Sequence, residues 1–411
     1  MIIEAIILAG GKGTRLQSVV SEVPKPMAPI GDKPFLYYQM LYLVSRGVNR
    51  FILSVGYKSE TITSYFGNEF NGLPVVYVFE ETPMGTGGGV RLAIKACQSE
   101  NPIVVNGDTF FEFEYSKILF VHQETNALLT FSVKEIEKYG RYGGMKIAEN
   151  AKVKRFTAKD VIGEAYINAG VYLINKEEFL NQTTEGRFSL EDDFLAPKVG
   201  QGCFYACPFN DSNFIDIGIP TDYEKGQSLI PFWSFQKKTK FQTIFLDRDG
   251  VLNKKIDNGY VTKPSELEIL PGVLSQLKKW NAEEKELYIV TNQRGVGRGI
   301  MSEENLHEVH FALQKELEAN DIKIRDIKFC TAIEKTSSRR KPNPGMLLEL
   351  FKEYPHLNSE TTLFIGDSIS DLKAGKSAET STWFLTNQKK FTFDILTFSD
   401  FISTDIQSVV V

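Results

Sequence analysis

The chain is poor in cysteine, histidine and tryptophan, has no long apolar run, and carries no strong excess of either charge. Four cysteines in 411 residues (Cys97, Cys203, Cys207 and Cys330) fit reduced thiols better than a disulfide framework, and a cytoplasmic setting is the expectation. Cys203 and Cys207 make half a metal site at best, so buried small side chains are expected there. His307 and His310 stand three apart on an expected helix without further ligands nearby in sequence, and solvated imidazoles are expected. No stretch is long enough to span a bilayer, and Met1-Ile2-Ile3-Glu4 lacks the charged start of a secretory signal, so no membrane partner is expected. A net charge of −5 argues equally against general affinity for nucleic acid. Phosphate binding must then rest on individually placed Lys and Arg side chains.

What is present is ordinary globular material, 42% hydrophobic and 24% charged, in a length that suits two domains. The stretch Thr243-Ile244-Phe245-Leu246-Asp247-Arg248-Asp249-Gly250 begins the second. An apolar run reads as a buried strand and stops at two aspartates one residue apart, followed by a glycine that permits a tight turn. Alternation puts Asp247 and Asp249 on one side of the strand end, where one carboxylate can attack phosphorus and the other can move a proton. An acidic turn is the plainer alternative, and the downstream segments weigh against it. Leu287-Tyr288-Ile289-Val290 leads to Thr291-Asn292-Gln293, Arg339-Arg340-Lys341-Pro342 places cations in a proline-stiffened loop, and Thr362-Leu363-Phe364-Ile365 leads to Gly366-Asp367.

In the first half, Glu4-Ala5-Ile6-Ile7-Leu8-Ala9 reads as a strand running into Gly10-Gly11-Lys12-Gly13-Thr14-Arg15. The glycines let backbone N–H groups approach a polyphosphate that Lys12 and Arg15 can neutralise. The loop fits neither the P-loop nor the dinucleotide fingerprint. Pro24 and Pro26 hold Lys25 in an extended loop, with a phosphate as its target. Ile103-Val104-Val105 ends in Asn106-Gly107-Asp108, a carboxylate at the C-terminal edge of a sheet, and Asp216 follows the apolar pair Phe214-Ile215. Two such carboxylates suit Mg²⁺, and a helix or turn cap remains the alternative for each.

Leu8-Ala9-Gly10-Gly11-Lys12-Gly13-Thr14-Arg15-Leu16 followed by Pro24-Lys25-Pro26-Met27 resembles the signature of sugar-1-phosphate nucleotidyltransferases. Asn106-Gly107-Asp108-Thr109, Ile167-Asn168-Ala169-Gly170 and Phe214-Ile215-Asp216-Ile217-Gly218 agree in order. Pro24 to Ile30, Asp32-Lys33-Pro34-Phe35-Leu36 and Arg141-Tyr142-Gly143 resemble the D-glycero-D-manno-heptose 1-phosphate guanylyltransferases within it. The resemblance implies nucleotide contacts from Leu8, Ala9, Gly10, Gly11, Gly13, Thr14, Gly85, Thr86 and Gly107, with Gly85 to Gly89 close to base and sugar. It also implies catalytic Arg15 and Lys25, Mg²⁺ on Asp108 and Asp216, and sugar-phosphate contacts from Lys159, Asn168, Gly170 and Glu191. For Glu191 a helix-start cap explains the segment equally well. Ala158 stands where the family has a glutamate before Lys159.

The second half resembles the haloacid dehalogenase superfamily, and Asp247 to Asn253, Gly297-Arg298-Gly299 and Arg340 to Met346 resemble its heptose bisphosphate and histidinol phosphatases. This implies Asp247 as nucleophile, Asp249 as general acid/base, and Thr291 and Lys341 at the transferring phosphoryl group. Mg²⁺ would sit on Asp247, Asp367 and the backbone carbonyl of Asp249. Asp371 would orient Lys341 or a metal water, and Asn292, Arg298 and Arg340 would contact substrate. The zinc loop of that subgroup is reduced here to Cys330 alone, so no structural zinc is expected.

The expected fold is α/β with two Rossmann-like domains: a nucleotidyltransferase mixed sheet over 1–230, a connector over 231–240, and a dehalogenase-like parallel sheet over 241–411. Phe232, Trp233 and Phe235 need somewhere to pack, so the connector is expected to dock. The implied function is bifunctional, removing the 7-phosphate of heptose 1,7-bisphosphate and joining heptose 1-phosphate to GMP from GTP, with a homo-oligomer possible. A mannose-1-phosphate guanylyltransferase fused to a histidinol- or other sugar-phosphatase, or a non-catalytic nucleotide-sugar sensor regulating the phosphatase, are the alternatives.

Overall fold

The computed structural model describes residues 2–11, 16, 20, 22–136, 143–157, 165–235, 240–386 and 391–409. They fall into two compact units, Met1–Lys238 and Thr239–Val411. Among the described residues no helix is long and apolar enough to cross a membrane.

In the first unit, runs rich in Val, Ile and Phe form the parallel strands Glu4–Ala9, Arg50–Val55, Leu73–Phe79 and Ile103–Asn106. Glu4–Ala9 lies between Arg50–Val55 and Ile103–Asn106. Ala165–Ile174 pairs antiparallel with Ile103–Asn106 and with Leu129–Ile136, which makes the sheet mixed. Strand order reverses between Glu4–Ala9 and Ile103–Asn106, and open α/β sheets bind ligands outside the carboxyl ends at such a point. Gly10 and Gly107 leave the sheet there. At the other end of the first strand, the buried Glu4 carboxylate is satisfied by Arg50 and by the amides of Gln98 and Ser99.

The helix Pro220–Ser234 continues four residues into the segment expected as a connector, and it buries Ile230 and Ser234. Trp233 packs 5.9 Å from the Phe110 ring and Phe235 6.2 Å from Tyr38, both in the first unit.

The second unit is a six-stranded sheet, parallel throughout, in the order Asp326–Cys330, Glu286–Asn292, Thr243–Leu246, Thr362–Gly366, Ser381–Leu385, Phe401–Ser403. Its central strands are apolar at successive positions because both faces are covered. Ile244, Leu246, Leu287, Ile289, Leu363 and Ile365 point to one side, against Leu277, Trp280 and Leu313. Phe245, Tyr288, Val290 and Phe364 point to the other, against Met346, Leu347 and Leu350. Each fully buried side chain of this size stabilises by about 1.5–3 kcal/mol. Here too the order reverses, between Thr243–Leu246 and Thr362–Gly366, so Asp247 and Asp367 emerge side by side.

Two expectations need correction. His310 is buried on the helix Glu303–Ala319, against Phe329, while His307 on the same helix is exposed; a three-residue step turned only one of them inward. Cys207 is buried as expected, but Cys203 is only half-buried.

Candidate active sites

The switch point of the first unit opens into a cleft of about 750 Å³ lined by Leu8, Gly10, Gly11, Gly85, Thr86 and Gly107 together with Lys25 and Asp108. Lys25 sits in a short helical turn, Lys25–Met27, and not in the extended loop expected: only Pro24 is extended, and Pro26 fits the first turn of a helix. Its Nζ lies 2.5 Å from Asp108 Oδ2. Asp216 comes beside them because Phe214–Asp216 pairs antiparallel with Thr109–Phe111, setting Asp216 opposite Thr109. The Ile217 amide donates to the Asp108 carbonyl at 3.0 Å. A Cβ placed on Gly218 would stand 2.7 Å from Asp216 Oδ1 and 2.9 Å from Lys25 Nζ, so the three charged groups share one small volume. Two carboxylates gathered around one lysine, Asp108 lining the cleft, fit Mg²⁺.

Arg15, Gly13, Thr14 and Lys159 lie outside the described residues. Ala9 is fully buried at the strand end. The glycine run divides: Gly85 and Thr86 line the cleft, whereas Gly87 and Gly88 donate to the Phe188 carbonyl at 3.0 and 3.3 Å. A Cβ on Gly85 would meet that carbonyl oxygen at 2.5 Å. Close packing on the 186–188 segment, rather than approach to a ligand, is what excludes side chains at Gly87 and Gly88.

Asn168, Gly170 and Glu191 come together through a residue that the sequence reading missed. Tyr172 is fully buried; its hydroxyl accepts from Asn168 Nδ2 at 2.6 Å and donates to Glu191 Oε1 at 3.4 Å. Thr86 Oγ1 donates to the other Glu191 oxygen at 2.8 Å. Burial, then the Glu191 charge, raises the Tyr172 pKa well above its ordinary value, so the phenol stays a donor. The strand shifts register between Asn168 and Tyr172, where Gly170 takes φ +76° and packs on Asn106. Gln39 was also missed: buried in the helix Phe35–Ser45, its Nε2 donates to the carbonyls of Asn106 and Thr109 at 2.8 and 2.7 Å, fixing the turn that carries Asp108. Its signal was one carboxamide within an otherwise apolar helix face.

The second cleft, about 690 Å³, holds Asp247, Asp249, Thr291, Asn292, Lys341 and Asp367. Lys341 Nζ reaches Asp247 Oδ1 at 2.9 Å, Asp371 Oδ1 at 2.6 Å and the Val290 carbonyl at 2.8 Å. One carboxylate oxygen from each of Asp247, Asp367 and Asp371 lies within 4.8 Å of the others. Asp367 Oδ1 is buried without a hydrogen-bond partner, and a cation held by these carboxylates would satisfy it. The donor set is all oxygen, as Mg²⁺ requires. Burial, opposed by Lys341 and reinforced by Asp371 and Asp367, pushes the Asp247 carboxyl up to about 7. Burial and Asp371 raise Asp367 as well. Lys341 is shifted upward, because its two aspartates outweigh the burial that opposes its charge.

Asp249 turns to the side. Buried Arg248 donates to both its oxygens, Asn253 donates at 2.9 Å and Gln293 at 2.8 Å. Burial acts to raise its pKa, but these donors win and hold it below the usual carboxylate range. Gln293 Nε2 also donates to Thr291 Oγ1 at 2.9 Å. Asn292 uses its carboxamide on the backbone of Lys341, donating to its carbonyl at 3.0 Å and accepting from its amide at 3.1 Å. Arg298 and Arg340 line the cleft, and Arg340 bonds the Ile333 carbonyl. Lys255, Arg294 and Lys335 line it too and escaped the sequence reading, since lone cations in polar loops carry no local signal.

Comparison with known proteins agrees with this division. Residues 4–231 match the family described as Nucleotidyl transferase, and residues 243–404 that described as Polynucleotide kinase 3 phosphatase. A D-glycero-alpha-D-manno-heptose 1-phosphate guanylyltransferase of Aneurinibacillus thermoaerophilus is 45% identical over 54% of this chain and 96% of its own. The crystal structure of HddC from Yersinia pseudotuberculosis complexed with GMP-PN is 39% identical with a TM-score of 0.50, over 56% of this chain and 99% of that one. A D,D-heptose 1.7-bisphosphate phosphatase structure from B. bronchiseptica, complexed with magnesium and phosphate, is 26% identical with a TM-score of 0.36, over 40% of this chain and 94% of that one. Through residues 4–231, more than half of its length, the chain belongs to the nucleotidyl transferase family.

Proposed function

We propose that the protein is a bifunctional enzyme of GDP-D-glycero-D-manno-heptose synthesis. In this reading residues 1–230 transfer GMP from GTP to heptose 1-phosphate, and residues 241–411 supply that substrate by removing the 7-phosphate of heptose 1,7-bisphosphate. The substrate of the first unit comes from the relatives' activity. A phosphatase joined to such an enzyme has an evident task, because a sugar 1-phosphate is what remains when a bisphosphate loses its other phosphate.

In the first cleft an oxygen of the sugar phosphate attacks the α-phosphorus of GTP while the bond to pyrophosphate breaks. Lys25, joined by Arg15, neutralises charge that two anions would otherwise set against each other, about 4 kcal/mol per pair of unit charges at 4 Å and an effective dielectric of 20. Asn168 and Glu191, fixed by Tyr172, would take the sugar hydroxyls, and Lys159 the sugar phosphate, as the family resemblance implies. In the second cleft an Asp247 oxygen attacks phosphorus, the bond to the sugar oxygen breaks, and that oxygen takes a proton from Asp249. Water then attacks the aspartyl phosphate, giving its proton to Asp249, and the phosphorus–Asp247 bond breaks to release phosphate. The donors that hold Asp249 below the usual carboxylate range suit this base half; the acid half requires its carboxylate to leave Arg248 for the cleft and carry a proton. Lys341 and Thr291 hold the phosphoryl oxygens throughout. Magnesium on Asp108 and Asp216, and on Asp247, Asp367 and the Asp249 carbonyl, would add positive charge against the phosphate oxygens in both reactions.

The observation that carries the reading is the pairing of lysine with clustered carboxylates at the switch point of each sheet, Lys25 with Asp108 and Lys341 with Asp247. A substrate panel tests it. Heptose 1,7-bisphosphate should outrun histidinol phosphate for phosphate release, and heptose 1-phosphate with GTP should outrun mannose 1-phosphate for pyrophosphate release. Preference for the competitor in either assay rejects that half.

A further inference from the structure

The floor of the second cleft is not electrically balanced by the groups assigned so far. Arg248 is committed to Asp249, and Lys341 bridges Asp247 and Asp371. Three carboxylates (Asp247, Asp367, Asp371) thus face one buried ammonium. Among the described residues a second cation reaches them from the rim: Lys255 Nζ lies 2.6 Å from Asp367 Oδ2. The two lysines differ in kind. The Lys341 side chain is 1% exposed, whereas that of Lys255 is 53% exposed.

Of the two partners Lys255 has the more room, its side chain being 53% exposed against 14% for Asp367. Asp367 is pressed against Gly250, where a Cβ would stand 2.6 Å from its Cγ. The backbone before Lys255 is tied down, with the Lys254 amide donating to the Glu268 carbonyl at 2.8 Å, but its own long side chain is half exposed where it lines the cleft. Charge then decides where it goes. With all three carboxylates ionised, as metal ligands must be, they and Lys341 leave two negative charges, which one divalent cation balances. Lys255 becomes surplus beside a like-charged ion, and a phosphate group in the cleft is the nearest place for its ammonium.

We propose that Lys255 is a displaceable counter-ion: it neutralises Asp367 while the carboxylates hold no metal, and on magnesium binding it transfers to the substrate's phosphate. This rests on the phosphatase reading of the second cleft. It makes Lys255 a phosphate ligand of the loaded enzyme and a competitor of the metal in the empty one, so its removal moves two affinities in opposite directions. Damage to the fold would weaken both.

Isothermal titration calorimetry of the full chain tests this, in an Asp108→Asn background that silences the metal site of the first cleft. Without phosphate, Lys255→Met should bind Mg²⁺ about fivefold or more tighter than the parent, by the usual size of a coupling between two ligands. With saturating Mg²⁺, it should bind inorganic phosphate about tenfold more weakly, as loss of a charge-assisted hydrogen bond implies; the heat removed by Asp367→Asn identifies the second cleft. Unchanged or weaker Mg²⁺ binding in Lys255→Met, or unchanged phosphate binding, overturns the proposal while leaving the phosphatase reading intact. A parent chain that binds no Mg²⁺ sensitive to Asp367→Asn overturns both.

Discussion

Replacing Gly250 by alanine adds a single methyl group and should disable one activity of the two. Gly250 turns the chain after Asp249 with φ +92°, and a residue bearing Cβ in left-handed backbone costs about 1–2 kcal/mol. The methyl would stand 2.6 Å from Cγ and 3.0 Å from Cβ of Asp367. Carbon atoms pack at about 3.5–4.0 Å, so Asp367 or the 247–250 turn must shift by about 1 Å. A misplacement of that size in a catalytic constellation costs about 100-fold in rate. Phosphate release from heptose 1,7-bisphosphate at saturating Mg²⁺ should therefore fall about 100-fold, with the second unit destabilised by about 1–3 kcal/mol in urea unfolding. Pyrophosphate release from GTP and heptose 1-phosphate should not change, which makes the first unit an internal control for concentration and quality. A variant that hydrolyses the bisphosphate near the parent rate would refute the claim that the two strand ends are held at contact distance.

Lys25→Met should lower pyrophosphate release by about 100- to 1,000-fold, the range for losing one preorganised charge-stabilising donor, with phosphatase activity retained. Gln39→Leu leaves the Asn106 and Thr109 carbonyls unpaired in the interior, at about 1–3 kcal/mol each; it should destabilise the first unit and weaken transferase activity alone, read by urea unfolding and pyrophosphate release. Burial holds His122 down at about 4, with its ring bonded to Thr130 and Asn101. The unfolded chain, titrating near 6.5, binds the extra proton between those values, so stability is complete above about pH 6.5 and falls by about 3 kcal/mol as the pH drops toward 4. His122→Gln should flatten that acid limb, and an unchanged slope in urea midpoints against pH would contradict it.

Much of the fold was legible because apolar runs ending in Gly and Asp mark strand ends directly. Thr243–Leu246 and Thr362–Gly366 announce themselves by composition, and parallel pairing then brings Asp247 and Asp367 to one edge. Asp108 and Asp216 were placed by resemblance; the Thr109–Phe111 ribbon supplies the physical reason for their proximity. What the sequence hid depends on partners far along the chain. Tyr172 reads as an ordinary strand aromatic until Asn168 and Glu191 converge on its hydroxyl. Lys255 looks like one of many loop lysines until Asp367, 112 residues on, is found beside it. His310 departs from the solvated expectation because helix phase decides burial: both histidine rings touch Phe329, yet His310 is buried and His307 is exposed.

The central claim is that one chain carries out two consecutive reactions on one sugar. Phosphorus NMR of the full protein with D-glycero-D-manno-heptose 1,7-bisphosphate, GTP and Mg²⁺ tests it most directly. One phosphate and one pyrophosphate should appear per GDP-heptose formed, with heptose 1-phosphate rising and falling between them. Phosphate release without nucleotide-sugar, or faster product formation from ATP than from GTP, would contradict the account.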